Sequence, residues 1–336
     1  MEQDKNMRVG IIGAGRIATK AAITLCHLTN VEAYAIASRT LAKAQEFAAK
    51  WNIAKAYGSY SELIADPDVD LVYVATPHSH HFGVTREAIL AGKPCLVEKA
   101  FMANHREAEE IVTLAREKRV FLAEAIWTRY QPAVKIVRKL ISDGRIGEPR
   151  LVTATLGYSM GEKPRIMQPD LCGGALLDLG VYAINFVRMF FDSRILNIES
   201  QCVKSKTGMD LTNSISLVLE DGILANLQSS AACVGDNIGV IAGTEGNIII
   251  DNINIIDNIN NPQRIRLNGR DRVFVEEIEV PRQITGYEYQ FLECREAIAD
   301  NLLEPYSMPL HETLYIMQLM DGLRRKWGVR YPMDDF

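Results

Sequence analysis

What this chain has little of narrows its function first. Its 37 basic and 42 acidic residues leave a net charge of −5, and no concentrated basic block interrupts the sequence. Proteins that bind nucleic acid neutralise phosphates with such a footprint, so that partner class is excluded; Arg116 to Arg119 and Arg324 to Lys326 read as solvated helix faces. Six cysteines, at positions 26, 95, 172, 202, 233 and 294, include no C-x-x-C and no close pair. Neither a zinc site nor a disulfide framework is expected, and reduced thiols in the cytoplasm are the simplest reading. No apolar run of about 18 residues is seen, and Met1 to Met7 is polar without a charged-then-apolar leader, so the expectation is a cytoplasmic protein that neither leaves the cell nor spans a membrane.

What is present is an ordinary globular balance, 48% apolar and 24% charged over 336 residues. That length is about twice the ~150 residues typical of one domain, and there is no internal repeat. Short apolar runs at Arg8 to Ile12, Glu32 to Ala37, Leu71 to Ala75, Cys95 to Val97 and Val120 to Ala123 alternate with amphipathic stretches at Ala18 to Leu28, Leu41 to Trp51, His81 to Leu90 and Arg106 to Lys118. This alternation predicts an α/β unit with a doubly wound parallel sheet and right-handed crossovers. After a helix at Pro132 to Ser142, the turn residues of Asp143 to Pro149 punctuate the chain. Strands then follow at Arg150 to Tyr158, Asn213 to Leu219, Ile223 to Ser229, Val240 to Ala242 and Asn247 to Ile250, with one helix at Gly174 to Phe190. The second half is therefore expected to be an α+β domain on a large, mostly antiparallel open sheet, closed by helices at Tyr287 to Asp300 and Leu310 to Trp327. The expected division is 1–124 and 125–336. The asparagine-rich run 251–261 reads as a compositional bias with turn tendency.

Immediately after the first strand stands Gly13-Ala14-Gly15-Arg16-Ile17-Ala18, a G-x-G-x-x-A element opening a helix. Its glycines permit a tight turn and let backbone amides approach a pyrophosphate, which the positive end of the helix dipole favours. In a strand-turn-helix-strand context this predicts a Rossmann dinucleotide site with Gly13, Gly15, Arg16 and Ile17 at the phosphates. The second strand ends in Ala37-Ser38-Arg39-Thr40, where NAD-binding sequences place a carboxylate on the ribose 2′-hydroxyl. Ser38 and the guanidinium of Arg39 suit a 2′-phosphate instead, so NADP(H) is preferred and NAD(H) is the second candidate. The competing reading makes Arg39 a surface charge and Thr40 a helix cap.

Two further segments fall at the carboxyl ends of predicted parallel strands, where ligands of open α/β sheets collect. Thr76-Pro77-His78-Ser79-His80-His81 carries three histidines in four positions, but no matching carboxylate or thiolate cluster supports a metal, and none is expected. Thr76, Pro77, His78 and His81 are assigned to the cofactor, as are Glu98 and Lys99 of the second segment. In Gly173-Gly174-Ala175-Leu176-Leu177-Asp178-Leu179-Gly180-Val181-Tyr182, Asp178 and Tyr182 lie four apart and would share one helical face. An amphipathic core helix explains the leucines and leaves the glycines and the polar pair unexplained. Trp127, Tyr130 and Tyr158 are candidates for an apolar wall against a ring-shaped substrate. Arg129 and Arg165 suit a substrate anion or, as the plainer alternative, ion pairing.

These residues together resemble the glucose-fructose oxidoreductase / inositol dehydrogenase / rhizopine catabolism family, Gfo/Idh/MocA. The resemblance is carried in order by the glycine turn, Thr76-Pro77 with His81, Glu98-Lys99, Gly147-Glu148-Pro149, Gly173 to Tyr182, Gly243-Thr244-Glu245-Gly246 and Gly328-Val329-Arg330-Tyr331-Pro332. Glu124 to Tyr130 and Asp178 to Tyr182 are similar to the branch holding dimeric dihydrodiol dehydrogenases and NADP-dependent D-xylose dehydrogenases. The resemblance implies Lys99 and Tyr182 as a catalytic pair, Asp178 in support, Trp127 beside the substrate, and a homodimer; Arg129 and Tyr158 are placed toward the substrate on their own chemistry. The implied reaction moves a hydride between NAD(P) and a carbinol or carbonyl carbon of a small sugar, polyol or cyclic diol. Three positions depart from the wider family: Ala100 replaces a proline, His78 an asparagine, and Tyr182 the histidine of sugar dehydrogenases. Competing readings are an NAD-dependent glycoside hydrolase working by transient oxidation and a non-catalytic dinucleotide sensor. A sensor would be expected to lose its lysine or its proton carrier, and both are here.

Overall fold

The computed structural model describes residues 6–250 and 264–335; the asparagine-rich run 251–261 lies outside the described residues. By their contacts the residues form two units, Met1–Tyr130 with Ile284–Gln318 and Gln131–Gln283 with Leu319–Phe336. A contiguous division at 124/125 assigns Ile284–Gln318 to the second domain, whereas its contacts belong to the first.

The first unit runs β1 (Met7–Ile12), α1 (Arg16–Leu25), β2 (Val31–Ala37), α2 (Leu41–Trp51), β3 (Lys55–Tyr57), α3 (Tyr60–Ala65), β4 (Leu71–Val74), α4 (His78–Leu90), β5 (Cys95–Glu98), α5 (His105–Lys118) and β6 (Leu122–Ala125). All six strands pair in parallel, in the order β3-β2-β1-β4-β5-β6. Every residue of β4, β5 and β6 is buried, as parallel strands covered on both faces require. The chain winds outward through β2 and β3, then restarts beside β1 at β4 and winds the other way. That reversal opens a crevice at the carboxyl ends of β1 and β4, the place where such sheets take ligands. Helix starts are fixed locally: Ser59 and Glu62 form a reciprocal capping box at α3, and the Glu107 amide donates to Asn104 Oδ1 at 2.9 Å at the start of α5. Phe291, Cys294 and Ala297, from a helix near the end of the chain, join Met7, Val9, Ile11 and Tyr73 in one apolar core.

In the second unit α6 (Pro132–Ser142) precedes β7 (Pro149–Gly157), α7 (Pro164–Met167), a wide π-helical turn at Leu176–Gly180 and α8 (Val181–Arg188). Seven more strands follow: β8 (Ile195–Lys204), β9 (Asp210–Leu219), β10 (Leu224–Ser230), β11 (Gly239–Gly243), β12 (Gly246–Ile250), β13 (Arg264–Gly269) and β14 (Phe274–Glu279). They pair in the order β14-β13-β12-β11-β7-β10-β9-β8, antiparallel throughout except for β7 against β10. The period-two pattern buries Val152, Ala154, Leu156, Leu217 and Leu227 and leaves Leu151, Val218 and Leu224 exposed. The remaining helices are α9 (Glu288–Ala299) and α10 (Leu310–Trp327).

Two expectations need correction here. The helix expected over Gly174 to Phe190 is a π turn followed by the regular α8. And one stretch, Pro169–Arg188, is long and apolar enough to cross a bilayer, but 83% of its most apolar window is buried inside the protein, so its apolarity serves the core.

Candidate active site

Gly13 leaves β1 with φ +104°, a conformation that side chains disfavour, and a Cβ there would stand 2.6 Å from the Ala75 carbonyl oxygen. Its amide donates to Ala37 O at 2.9 Å. The turn is thus pressed against the ends of its two neighbouring strands, and only glycine fits. Gly15 is different: it is exposed, and a Cβ there would meet nothing within 4 Å. Helix α1 then begins at Arg16 with no side-chain cap and no acidic residue in its first turn. Its leading amides are therefore open to an anion, the condition for phosphate binding at a helix start. Thr76 Oγ1, beside this turn, is buried with no hydrogen-bond partner among the described residues. The glycine cradle, the uncapped helix and this orphaned hydroxyl fit a dinucleotide pyrophosphate at the switch point. Ile17 is half-buried and Arg16 exposed. At the end of β2, Ser38 is buried with its amide on Tyr57 O at 3.2 Å, while Arg39 is exposed on the wall of an open cleft of about 920 Å³ shared with Thr40 and Lys55. Thr40 precedes α2 without making a side-chain cap bond.

The histidine run has a structural explanation that the sequence does not reveal. His81 is fully buried, its Nδ1 facing the carbonyl oxygens of Ala100 at 3.1 Å and Phe101 at 3.0 Å and its Nε2 facing that of Thr76 at 2.9 Å. His78 Nε2 donates to the Lys99 carbonyl at 3.2 Å. Burial holds the His81 pKa below the usual imidazole value against the pull of the three carbonyls. The first turn of α4 therefore ties the loop after β4 to the loop after β5, and Lys99, half-buried, sits on the tied segment. Pro77 is exposed at the head of α4. Glu98 is buried and accepts a hydrogen bond from the Tyr73 hydroxyl.

At the end of β6, Glu124 is buried and its carboxyl is pushed up to about 7, mainly by desolvation. Trp127 is only 1% exposed and stacks on Tyr287 with ring centres 4.8 Å apart. Arg129 is buried with its guanidinium on Glu312 at 3.1 Å. The sequence offers both side chains to a substrate, with ion pairing as the plainer role of Arg129; here one stack on the Trp127 ring and one ion pair of Arg129 lie within the unit. The Tyr130 hydroxyl donates to the Glu124 carbonyl at 2.8 Å.

In the second unit the Gly173 to Tyr182 block is explained by close approach. A Cβ on Gly173 would stand 2.4 Å from Ile166 O, and one on Gly180 would stand 2.9 Å from Leu176 Cδ1 and 3.1 Å from Ser229 Oγ. The glycines let the π turn settle onto the sheet. Asp178 lies inside the wide turn, paired with Arg165 at 2.7 Å, and Tyr182 lies in the α-helix behind it, 3% exposed. The two are therefore not related by an uninterrupted α-helical step; π turns of this kind recur at functional sites. Arg165 also donates to Met160 Sδ at 3.1 Å. Tyr158 is half-buried at the end of β7. Two other motifs prove to be architectural. Glu148 and Thr244 exchange bonds, Thr244 N to Glu148 O at 3.0 Å and Glu148 N to Thr244 Oγ1 at 3.1 Å, and the Tyr331 hydroxyl donates to Gly173 O at 2.7 Å.

Comparison with known proteins agrees with this architecture. Residues 7–125 match the model of an oxidoreductase family with an NAD-binding Rossmann fold, and residues 134–249 match a GFO/IDH/MocA C-terminal domain. A trans-1,2-dihydrobenzene-1,2-diol dehydrogenase of Danio rerio is 36% identical over 98% of this chain and 99% of its own, and that of Mus musculus is 33% identical with the same coverage. A solved 3-ketoreductase from Actinomadura kijaniata, complexed with NADP and TDP-benzene, superposes with a TM-score of 0.85 at 25% identity, covering 96% of this chain and 98% of that one. Relatives this similar along nearly the whole sequence, together with a matching family model on each half, show that the chain belongs to the GFO/IDH/MocA oxidoreductase family.

Proposed function

We propose that this oxidoreductase is an NADP-preferring dehydrogenase or reductase acting on a CH–OH or carbonyl carbon of a small sugar, polyol or cyclic diol. The observation that carries the cofactor reading is the cradle at the switch point, where Gly13 is fixed by contact and Gly15 is left open over an uncapped helix. Exposed Arg39 at the end of β2, with no carboxylate beside it in Ser38-Arg39-Thr40, supports the phosphorylated dinucleotide. The class of substrate is suggested by the diol dehydrogenase relatives.

When bound, the nicotinamide supplies the hydride chemistry. The chain supplies position and a proton. Gly13, Gly15, Arg16 and Ile17 receive the pyrophosphate; Ser38 and Arg39 receive the adenosine side; Thr76 and Pro77 line the crevice. His78 and His81 hold the backbone from which Lys99 projects, with Glu98 anchored beneath on Tyr73. In the reductive direction the Tyr182 hydroxyl donates its proton to the developing alkoxide; in the oxidative direction it accepts the carbinol proton. Asp178 supports that step, with its charge balanced by Arg165. Tyr158 offers an aromatic edge to the substrate.

Leu151, Val218 and Leu224 stand in register across β7, β9 and β10, each more than a third exposed. This apolar row supports a homodimer formed through the open sheet face. The cytoplasm is the proposed location. The test is a scan of trans-1,2-dihydrobenzene-1,2-diol, aldoses and inositols with NADP or NADPH, run beside Tyr182→Phe. Turnover should fall ~10²–10⁴-fold in the variant with NADPH affinity unchanged; undiminished turnover would remove Tyr182 as the proton carrier.

A further inference from the structure

Asp210 opens β9, fully buried, and belongs to none of the motifs considered so far. Its Oδ2 accepts from the Leu176 amide at 2.7 Å and from Asn213 Nδ2 at 2.9 Å, and Asn213 Oδ1 accepts from Ser229 Oγ of β10 at 2.8 Å. Its Oδ1 has no partner among the described residues and lies 2.2 Å from where a Cβ on Gly174 would stand. Gly174 itself has φ +113°, so the backbone there is shaped to admit this carboxylate. The amide it holds is the first of the π turn that carries Asp178 and leads into Tyr182.

A neutral serine or asparagine suffices to cap an ordinary helix. Here desolvation pushes the carboxyl up to about 6, opposed by the Asn213 side chain, the Leu176 amide and the field of Arg324. The charged and titratable groups facing it are Arg324, which is bound to Asp321 and Asp334, Tyr331 over that guanidinium, and Cys202 of β8. A group that resists ionisation yet is placed on the amide leading to the proton carrier does more than satisfy a helix end.

We propose that Asp210 is a positioning residue for the proton step: its carboxylate fixes the start of the π turn against β9 and so sets where Tyr182 presents its hydroxyl. The inference rests on the reading of Tyr182 as proton carrier. Because the ionised carboxylate is the stronger acceptor, the turn is held above pH about 6 and loosens as Asp210 takes up a proton below it.

The experiment measures kcat against pH with NADP and trans-1,2-dihydrobenzene-1,2-diol, NADPH binding by fluorescence, and amide hydrogen exchange over residues 175–183. Asp210→Asn should lower kcat about 10–100-fold at pH 8, the scale of a small misplacement of a reacting group. NADPH affinity should stay unchanged, the acidic limb should disappear, and exchange at 176–182 should quicken. Asn213→Ala, the milder change, removes a bond that favours the ionised form and should move the limb to higher pH while the protein remains folded. Full-speed turnover in Asp210→Asn, or an unmoved limb in Asn213→Ala, would overturn the inference. A Tyr182→Phe variant that turns over normally would instead overturn the reading beneath it, and the two failures are therefore separable. If Asp210→Asn does not fold, the limb in Asn213→Ala decides.

Discussion

Gly15→Ala isolates the cofactor from the fold. In the protein alone a methyl group at this position meets nothing within 4 Å, and Gly15 has φ −98° and ψ −169°, extended backbone that alanine adopts without strain. Stability should therefore change by no more than a few tenths of a kcal/mol, and the melting temperature by about 1 °C or less. A pyrophosphate seated on the α1 amides would, however, occupy the same space. Losing one charge-assisted amide contact removes about 1.5–3 kcal/mol of binding, which raises Kd about 10–150-fold. Gly13→Ala is the contrasting variant: its methyl group collides with Ala75 O at 2.6 Å and forces a glycine conformation on alanine. It should destabilise the protein by about 1–3 kcal/mol before any ligand is added, about 2–10 °C for a unit of this size. The assay is NADPH titration by fluorescence paired with thermal melts of both variants. If Gly15→Ala binds NADPH as tightly as the parent, or loses affinity only in step with stability, the pyrophosphate does not lie over this turn.

Other outcomes follow from the same geometry. Arg39→Ala should weaken NADPH by about 1.5–3 kcal/mol and leave NADH unaffected, so equal losses in a paired titration would remove the 2′-phosphate role. Glu124 has a folded pKa of about 7, above its ordinary value, so the neutral form is favoured and stability should decline as pH rises through the range up to about 7. The decline is on the order of 3 kcal/mol; Glu124→Gln should flatten it, and a pH-independent stability difference between the two proteins would contradict the assignment. Glu312→Gln removes the carboxylate that bonds the buried Arg129 guanidinium at 3.1 Å and should destabilise the protein in denaturant unfolding, by at most about 3–5 kcal/mol, the cost of a broken buried ion pair. A near-neutral result would mean that water or another group reaches Arg129.

The parallel sheet was legible because its strands are apolar runs separated by helices of the right length; α2, α6 and α10 fall on the residues that periodicity marks. Four strands escaped. β3 is three half-buried residues with no apolar run, β8 is an edge strand with no fully buried position, and β13 and β14 carry charged residues among their apolar ones. α3 did carry a signal, the Ser59-x-x-Glu62 capping box, which locates a helix start even where hydrophobic periodicity is too short to register. At the site, the glycine turn could be read because its chemistry is local. The partners of Arg129, His81 and Leu176 could not: Glu312, the 100–101 carbonyls and Asp210 are distant in sequence, and only the folded chain brings them together. The π turn was equally hidden, since Leu176 to Val181 has the periodicity of an ordinary helix and the widening comes from the groups packed around it.

The return of α9 into the nucleotide-binding unit governs how this protein can be made. With Phe291, Cys294 and Ala297 packed among β-strand residues from the first hundred positions, the sheet keeps an uncovered apolar flank until translation has passed residue 297 of 336. An N-terminal fragment ending near Tyr130 would carry that flank into water and should aggregate. Joining 284–318 to it through a flexible linker should restore a soluble, dinucleotide-binding body.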